Sequence, residues 1–101
     1  MRTMDERSYW VYMMASKRNG TLYVGVTSDL VKRAWEHRED FVKGFTSSYR
    51  VHRLVWFEQH VTAEAAITRE KQIKRWNKAW KVRAIEALNP YWNDLYESLS
   101  Q

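Results

Sequence analysis

The chain has 101 residues, a formal net charge of +5 and no cysteine. This length allows one domain around one core, and the lack of cysteine excludes a disulfide framework and a zinc–thiolate site. The first residues lack the apolar run of a signal peptide, and no apolar stretch approaches the roughly 20 residues of a membrane span, so a cytoplasmic protein without a membrane partner is expected.

The first predicted element is a β-hairpin. Residues 10–16 (WVYMMAS) and 21–26 (TLYVGV) are rich in β-branched and aromatic side chains, and Asn19 and Gly20 lie between them. Asn-Gly is a strong signal for a two-residue hairpin turn. The sequence therefore predicts two antiparallel strands joined at this dipeptide.

The register of this hairpin decides where the tyrosines point. A two-residue turn places Tyr23 opposite Ser16, with Tyr12, Tyr23 and Gly25 on one face and small aliphatic residues on the other. A loop shifted toward Lys17 would keep the same faces and bring the two tyrosines closer. The sequence leaves this choice open, and it marks Gly25 as a point where a ligand or another backbone approaches closely.

A helix is predicted directly after the hairpin. Thr27 or Ser28 can cap its first turn, Asp29 favours the positive end of the helix dipole, and the helix extends to about Arg38 or Asp40. The remaining elements are a loop over 43–49, a strand over 52–60, helices over 63–76 and 78–88, and one further turn in the tail. The order ββαβαα predicts an α+β domain in which helices flank a small three-stranded antiparallel sheet.

Two features of the predicted helices are candidates for function on the residues alone. Arg33 and His37, one turn apart, flank the apolar side of the first helix, where a snorkelling arginine and a surface histidine are the ordinary alternatives. Glu70 falls in the middle of an apolar stripe on the second helix. An inward carboxylate must be paired or bound to a cation, so Glu70 is expected either to form a salt bridge with Lys74 or to bind a hard cation. Asn77 falls on the same stripe.

Basic residues are concentrated near the end of the chain. Seven of them, and a single acid, lie between residues 69 and 83, with Trp76 and Trp80 interleaved. Cationic stripes with aromatic side chains are typical of nucleic-acid binding, although a solvated helix face has the same composition.

Together these features resemble the GIY-YIG nuclease superfamily. The stretches WVY (10–12) and YVG (23–25) resemble its two signature tripeptides, and their tyrosines are eleven residues apart. Arg33 and His37 resemble its helix motif, and Glu70 stands where the family places a metal-binding glutamate. The resemblance covers about residues 8–95 of one domain spanning 1–101. It is closest to small stand-alone bacterial members, similar to the N-terminal domain of the DNA-repair incision subunit.

Two departures from the family pattern are visible. Trp10 replaces the first glycine, and Val26 stands where some relatives carry a lysine. Lys17, Arg18 or Lys32 can replace the charge of that lysine.

The resemblance implies a metal-dependent endonuclease acting on DNA. In this interpretation Glu70 binds a single Mg²⁺ or Mn²⁺, and Arg33 stabilises the phosphate. Tyr12 or Tyr23, together with His37, positions or activates the attacking water.

The same resemblance implies several supporting residues. The ending NPYWNDL points to Asn93 as a residue that steadies the glutamate or the product strand, with Asn77 as the weaker candidate. The residues expected to contact DNA, or RNA, are Lys17, Arg18, Lys32, Lys74, Arg75 and Lys78. A monomer or weak homodimer is expected. The alternatives are a non-catalytic nucleic-acid-binding module on the same scaffold and a protein-interaction adaptor.

Overall fold

The fold is a three-stranded antiparallel sheet with helices on both faces. The computed structural model describes residues 8–41 and 49–99. Its strands are β1 (Tyr9–Ala15), β2 (Leu22–Thr27) and β3 (Arg53–His60), and its helices are α1 (Leu30–Arg38), α2 (Ala63–Arg75), α3 (Lys78–Leu88) and α4 (Tyr96–Leu99). The strand order β2-β1-β3 puts β1 in the centre. The predicted α+β class and ββαβαα order are confirmed, while the loop predicted over 43–49 lies outside the described residues except for Tyr49.

The hairpin register differs from the two-residue turn. Tyr23 pairs with Met14, so the choice that the sequence left open is decided in favour of the loop shifted toward Lys17, and the pairing of Tyr23 with Ser16 does not form. The cause is a four-residue turn over 17–20, in which the Gly20 N–H donates to the Lys17 carbonyl at 2.9 Å. Asn19 takes the left-handed conformation of this turn, with φ of 58°. Asparagine tolerates this region better than most residues.

The two-residue shift preserves which side chains share a face, because strand side chains alternate with a period of two. One face packs against α2 and α3, and its buried members from the sheet are Val11, Met13, Ala15, Val24, Val55 and Trp56. The other face packs against α1, with Tyr12, Met14 and Leu54 buried beneath Leu30 and Ala34. The aliphatic face was predicted as core, and the tyrosine face proves to be core as well.

Side-chain caps fix where the helices begin. Asp29 caps α1, its Oδ1 accepting from the Lys32 N–H at 3.2 Å, so the prediction of Thr27 or Ser28 as cap is wrong. Thr27 still belongs to β2, which moves the helix start two residues later. Thr62 caps α2 as predicted, accepting from the Ala65 N–H at 3.1 Å. Within residues 8–41 and 49–99, no helix is long and apolar enough to cross a membrane.

Candidate active site

Three rings meet beneath α1. Tyr12 lies on the central strand and His37 in the last turn of α1, and Tyr12 Oη is 3.0 Å from His37 Nε2. The Tyr23 ring centroid lies 6.2 Å from that of Tyr12 and 5.3 Å from that of His37. Tyr12 is 2% exposed and His37 is 1% exposed. The two tyrosine motifs and the histidine of the helix motif therefore form one packed group, and the alternative of a surface histidine is excluded.

Gly25 explains how the Tyr12 ring fits. Gly25 is the direct cross-strand partner of Tyr12, and a Cβ on this residue would lie 2.5 Å from Tyr12 Oη and 2.6 Å from Cζ. Such distances are far inside van der Waals contact. The glycine of the YVG stretch therefore makes room for the phenol ring of Tyr12. The group that closely approaches Gly25 is this side chain, and neither a ligand nor another backbone is needed to explain the glycine.

Burial keeps both hydrogen-bonded groups uncharged. It raises the pKa of the Tyr12 hydroxyl well above its usual value, and the neighbouring Tyr23 adds to this rise. It lowers the pKa of His37 to about 4, with the positive charge of Arg33 as the next cause. One proton therefore lies between Tyr12 Oη and His37 Nε2 at neutral pH. The opposite ring nitrogen, Nδ1, is buried and finds no hydrogen-bond partner among the residues that the structure describes.

Arg33 lies at the margin of this group. Its side chain is 42% exposed, and its Nε is 3.4 Å from Glu36 Oε1. It lines a cleft of about 300 Å³ together with Ser28 and Lys32. Its positive charge adds to the lowering of the pKa of His37 and partly offsets the rise in the pKa of Tyr12. Arg33 is therefore accessible to solvent while its charge acts on the buried rings.

Glu70 is carried by a helix that packs on the other face of the sheet from α1. Its helix, α2, packs on the aliphatic face through Ala66 and Ile73. Glu70 Oε2 is 2.6 Å from Lys74 Nζ, and the glutamate side chain is only 12% exposed. The predicted salt bridge is present. Ile67, three residues before Glu70, is 41% exposed, so the buried side of α2 is narrow.

No ready-made cluster of metal ligands accompanies Glu70. Within the described parts of the chain, no three His, Cys, Asp or Glu side chains come together in a way that would hold an ion. Mg²⁺ is often held by one or two carboxylates, with water and substrate phosphate supplying the other oxygens. A single carboxylate is therefore compatible with a metal that arrives with the substrate, and it is not a preformed metal site.

The two candidate asparagines lie elsewhere. Asn93 is exposed and lines a larger cleft of about 780 Å³ with Ser16 and Arg38. None of the other predicted catalytic residues lines that cleft. Asn77 caps α3, its Oδ1 accepting from the Trp80 N–H at 2.9 Å, which assigns its side chain a structural task. The role of Asn93 in steadying Glu70 or the product strand stays a prediction.

Comparison with known proteins identifies the family. The family profile described as the GIY-YIG catalytic domain matches residues 8–83. The chain belongs to the GIY-YIG family. Tyr12, Tyr23, Arg33, His37 and Glu70 all lie inside the GIY-YIG match, whereas the cleft asparagine near the C-terminus lies beyond it.

Relatives of this GIY-YIG protein are small bacterial proteins. A UPF0213 protein of Bacillus pumilus is 28% identical over 84% of this chain and 86% of its own. A UPF0213 protein of Staphylococcus saprophyticus is 30% identical over 76% of this chain and 93% of its own. The solution NMR structure of UPF0213 protein BH0048 from Bacillus halodurans shares the fold, with a TM-score of 0.51 and 22% identity over 81% of this chain and 86% of that chain.

The GIY-YIG chain also contains residues that the sequence reasoning missed. Asn89 is 4% exposed, and its Nδ2 donates to the Val55 carbonyl at 3.1 Å. Asp94 Oδ1 accepts from the Leu54 N–H at 3.2 Å, and the Leu95 N–H donates to the Leu54 carbonyl at 2.8 Å. These bonds hold the segment after α3 against the outer side of β3. An asparagine directly before a proline was the available signal, since such residues often end helices.

The predicted nucleic-acid contacts are exposed, but some are already paired within the protein. Lys74 pairs with Glu70, and Lys78 Nζ donates to the Asn19 carbonyl at 2.9 Å. In the same stripe the Arg69 guanidinium lies over the Trp76 ring, 5.2 Å from its centroid. All six predicted contacts have exposed side chains: Lys17, Arg18, Lys32, Lys74, Arg75 and Lys78.

Proposed function

We propose that this GIY-YIG protein is a metal-dependent endonuclease that hydrolyses phosphodiester bonds of DNA. The observation that carries the proposal is the packed group of Tyr12, Tyr23 and His37 with Arg33 at its margin. Membership of the GIY-YIG family supports a nuclease. The preformed contacts among these side chains support a reaction in which they act together.

Arg33 is proposed to bind the scissile phosphate. A guanidinium keeps its charge at any accessible pH and presents donors in a planar fork that matches phosphate oxygens. Its partial exposure beside a cleft leaves it accessible to a polyanion. A fixed positive charge at this point stabilises the charge that develops on the phosphate oxygens in the transition state.

The tyrosines and the histidine are proposed to orient the attacking water and receive its proton. Tyr12 stays protonated because of its raised pKa, so it acts as a fixed hydrogen-bonding partner rather than as a free phenolate. Tyr23 is less buried than Tyr12 and is the phenol nearer to solvent. A phosphodiester bound at Arg33 would neutralise the charge that helps to lower the pKa of His37. Substrate binding thereby makes His37 a better proton acceptor within the group.

Glu70 is proposed to hold Mg²⁺ or Mn²⁺. The Lys74 ammonium, 2.6 Å from Oε2, demonstrates that a positive charge fits beside this mostly buried carboxylate. Lys74 is half exposed and flexible, so it can move into solvent when a metal ion takes its place. The ion, when bound, would supply Lewis-acid stabilisation to the leaving oxygen.

A non-catalytic nucleic-acid-binding module is the second candidate. The observation that favours it is the Glu70–Lys74 ion pair, which satisfies the carboxylate without any metal. In this candidate the exposed lysines and arginines bind phosphates and no bond is cleaved.

One experiment separates the two candidates. Supercoiled plasmid, labelled branched DNA and RNA are incubated with the protein in Mn²⁺ or in EDTA, using wild type, Glu70→Gln and Glu64→Gln. Glu64 is an exposed acid in the first turn of the same helix and serves as the matched control. We expect cleavage in Mn²⁺ by wild type and Glu64→Gln, and none in EDTA or with Glu70→Gln.

Two results would contradict the endonuclease proposal in different ways. Cleavage by Glu70→Gln at the wild-type rate would show that Glu70 is not the metal ligand. Binding of every substrate in EDTA, with no cleavage in Mn²⁺, would establish the binding module instead.

A further inference from the structure

The larger cleft lies at the end of the β1–β2 hairpin, next to the C-terminal end of α1. It has a volume of about 780 Å³. We refer to it as the hairpin cleft, and its lining includes Ser16, Lys17, Arg38, Arg50, Arg53 and Asn93. Only Lys17 and Asn93 in this set were singled out by the sequence, and none of the four groups around the proposed scissile phosphate belongs to it.

The hairpin cleft has a surplus of positive charge. Asp94 also lines it, but Asp94 Oδ2 accepts from Arg38 Nη1 at 2.8 Å, so these two charges cancel. Arg53 Nη1 donates to the Trp92 carbonyl at 3.0 Å, which uses one of its five guanidinium donors and keeps the side chain in place. Lys17 and Arg50 are exposed. Three cations then face one remaining acid, Glu39.

Unusual backbone conformations surround the hairpin cleft. Arg50, in its lining, has φ of 55°. Trp92, whose carbonyl holds Arg53, has φ of 58°, and Asp40, whose Oδ1 is 2.6 Å from His52 Nε2 in the lining, has φ of 60°. The left-handed region costs a residue other than glycine roughly 1–2 kcal/mol. Such conformations are retained where the surrounding structure requires them, and they concentrate at ligand sites.

The hairpin cleft lies within reach of the proposed active site. Lys17 is three residues beyond Met14, the cross-strand partner of Tyr23, which is on the order of 10 Å along the hairpin. Arg38 and Glu39, the two residues that follow His37, also line the cleft. A continuous polyanion can therefore contact Arg33 and the hairpin cleft at once.

We propose that the hairpin cleft binds the nucleic-acid strand that leads away from the scissile phosphate, with Lys17, Arg50 and Arg53 contacting successive backbone phosphates. The inference rests on the proposed function, because it takes Arg33 to mark the scissile phosphate. It assigns the substrate a minimum length, since a strand must extend several nucleotides beyond the cleaved bond to reach the cleft.

The test measures binding without cleavage. Fluorescence anisotropy in EDTA measures the binding of labelled single strands of about 3 and about 12 nucleotides. The shorter strand is too short to contact Arg33 and the hairpin cleft at once, and the longer strand can contact both. The variants are Lys17→Gln/Arg50→Gln and, as a control with the same loss of charge, Lys71→Gln/Arg83→Gln. The control residues are exposed members of the basic stripe that do not line the cleft.

We expect the cleft variant to bind the longer strand at least about 5-fold more weakly than wild type. The plot of log affinity against log salt should become shallower by about 1.4, which is about 0.7 for each of the two lost phosphate contacts. Binding of the short strand is expected to stay unchanged, and the control to weaken the longer strand much less. Equal losses in both double variants, or an equal loss for both strand lengths, would overturn the inference. Since cleavage plays no part in this measurement, failure of the proposed hydrolysis would leave its result readable.

Discussion

The polar groups on the two faces of the sheet differ in charge and in how they are paired. Beneath α1, Tyr12 and His37 are almost fully buried, hydrogen-bonded to each other and uncharged. Beneath α2 the packed side chains are apolar, both aliphatic and aromatic, and the nearby Glu70 is charged and paired with Lys74. The first arrangement pairs Tyr12 with His37 through a single hydrogen bond, whereas the second must exchange one cation for another before it can act as proposed. Substitutions on the ring face should therefore change turnover or stability, whereas substitution of Lys74 should change the binding of the metal ion.

The largest effect is expected at Arg33. Replacing it with Ala removes the charge at the margin of the ring group, and we expect turnover to fall by about 10²–10³-fold with a small change in affinity. Lys32→Ala, an exposed neighbour on the same helix, is the control and should weaken affinity rather than turnover. Steady-state kinetics on a cleaved oligonucleotide measure both. Equal losses in affinity and turnover for Arg33→Ala would reduce Arg33 to a simple phosphate anchor.

The packing of the ring face can be tested at Gly25. Gly25→Ala places a Cβ 2.5 Å from Tyr12 Oη, and Tyr12 cannot retreat because it is buried and bonded to His37. We expect a loss of roughly 1–3 kcal/mol in the free energy of unfolding, measured with urea. In a Tyr12→Leu background the obstructing atoms are gone and the loss should be much smaller. A similar loss in both backgrounds would refute the close-contact explanation.

The ring face should also make stability depend on pH. The unfolded chain binds a proton on His37 near pH 6.5, whereas the folded chain does so only near pH 4. The free energy of unfolding therefore falls as the pH is lowered through this window, by roughly 2 kcal/mol between about pH 7 and pH 5. Urea unfolding should show this step in wild type and in His60→Gln, and its loss in His37→Gln. An unchanged step in His37→Gln would assign the step to other groups.

The smallest effect is expected on the opposite face, at Lys74. Lys74→Met removes the cation that competes for Glu70, so Mn²⁺ should bind more tightly, by about 5-fold at most for a partly exposed ion pair. The concentration of Mn²⁺ that gives half of the maximal shift in Tm measures this, with Lys71→Met as the control. An unchanged Mn²⁺ midpoint in Lys74→Met would mean that Lys74 and the metal do not share the carboxylate.

The sequence was most informative where a short repeat controls the geometry. The two-residue alternation of the hairpin assigned Tyr12, Tyr23 and Gly25 to one face in both of the registers that the sequence left open. The register itself was not determined, because Asn19-Gly20 fits both a two-residue and a four-residue turn. Thr62 could be recognised as a cap because it directly precedes the helical pattern of α2. The cap of α1 could not be chosen in this way, because it depends on where β2 ends.

Features that depend on distant residues could not be predicted. A helical projection places His37 on the boundary of α1, but its burial is produced by Tyr12, 25 residues away in sequence. The bond of Asn89 to Val55 joins residues 34 positions apart. The hairpin cleft likewise combines hairpin, helix end and C-terminal segment, which no local pattern connects.

The bonds to Leu54 have a consequence for how this sheet can grow. An outer strand normally exposes backbone donors and acceptors that another chain can extend. At β3 the Leu54 N–H and carbonyl are already taken by Asp94 and by the Leu95 N–H. A second copy, or a peptide in extended form, therefore cannot add to β3 at Leu54 without first displacing the segment that follows α3.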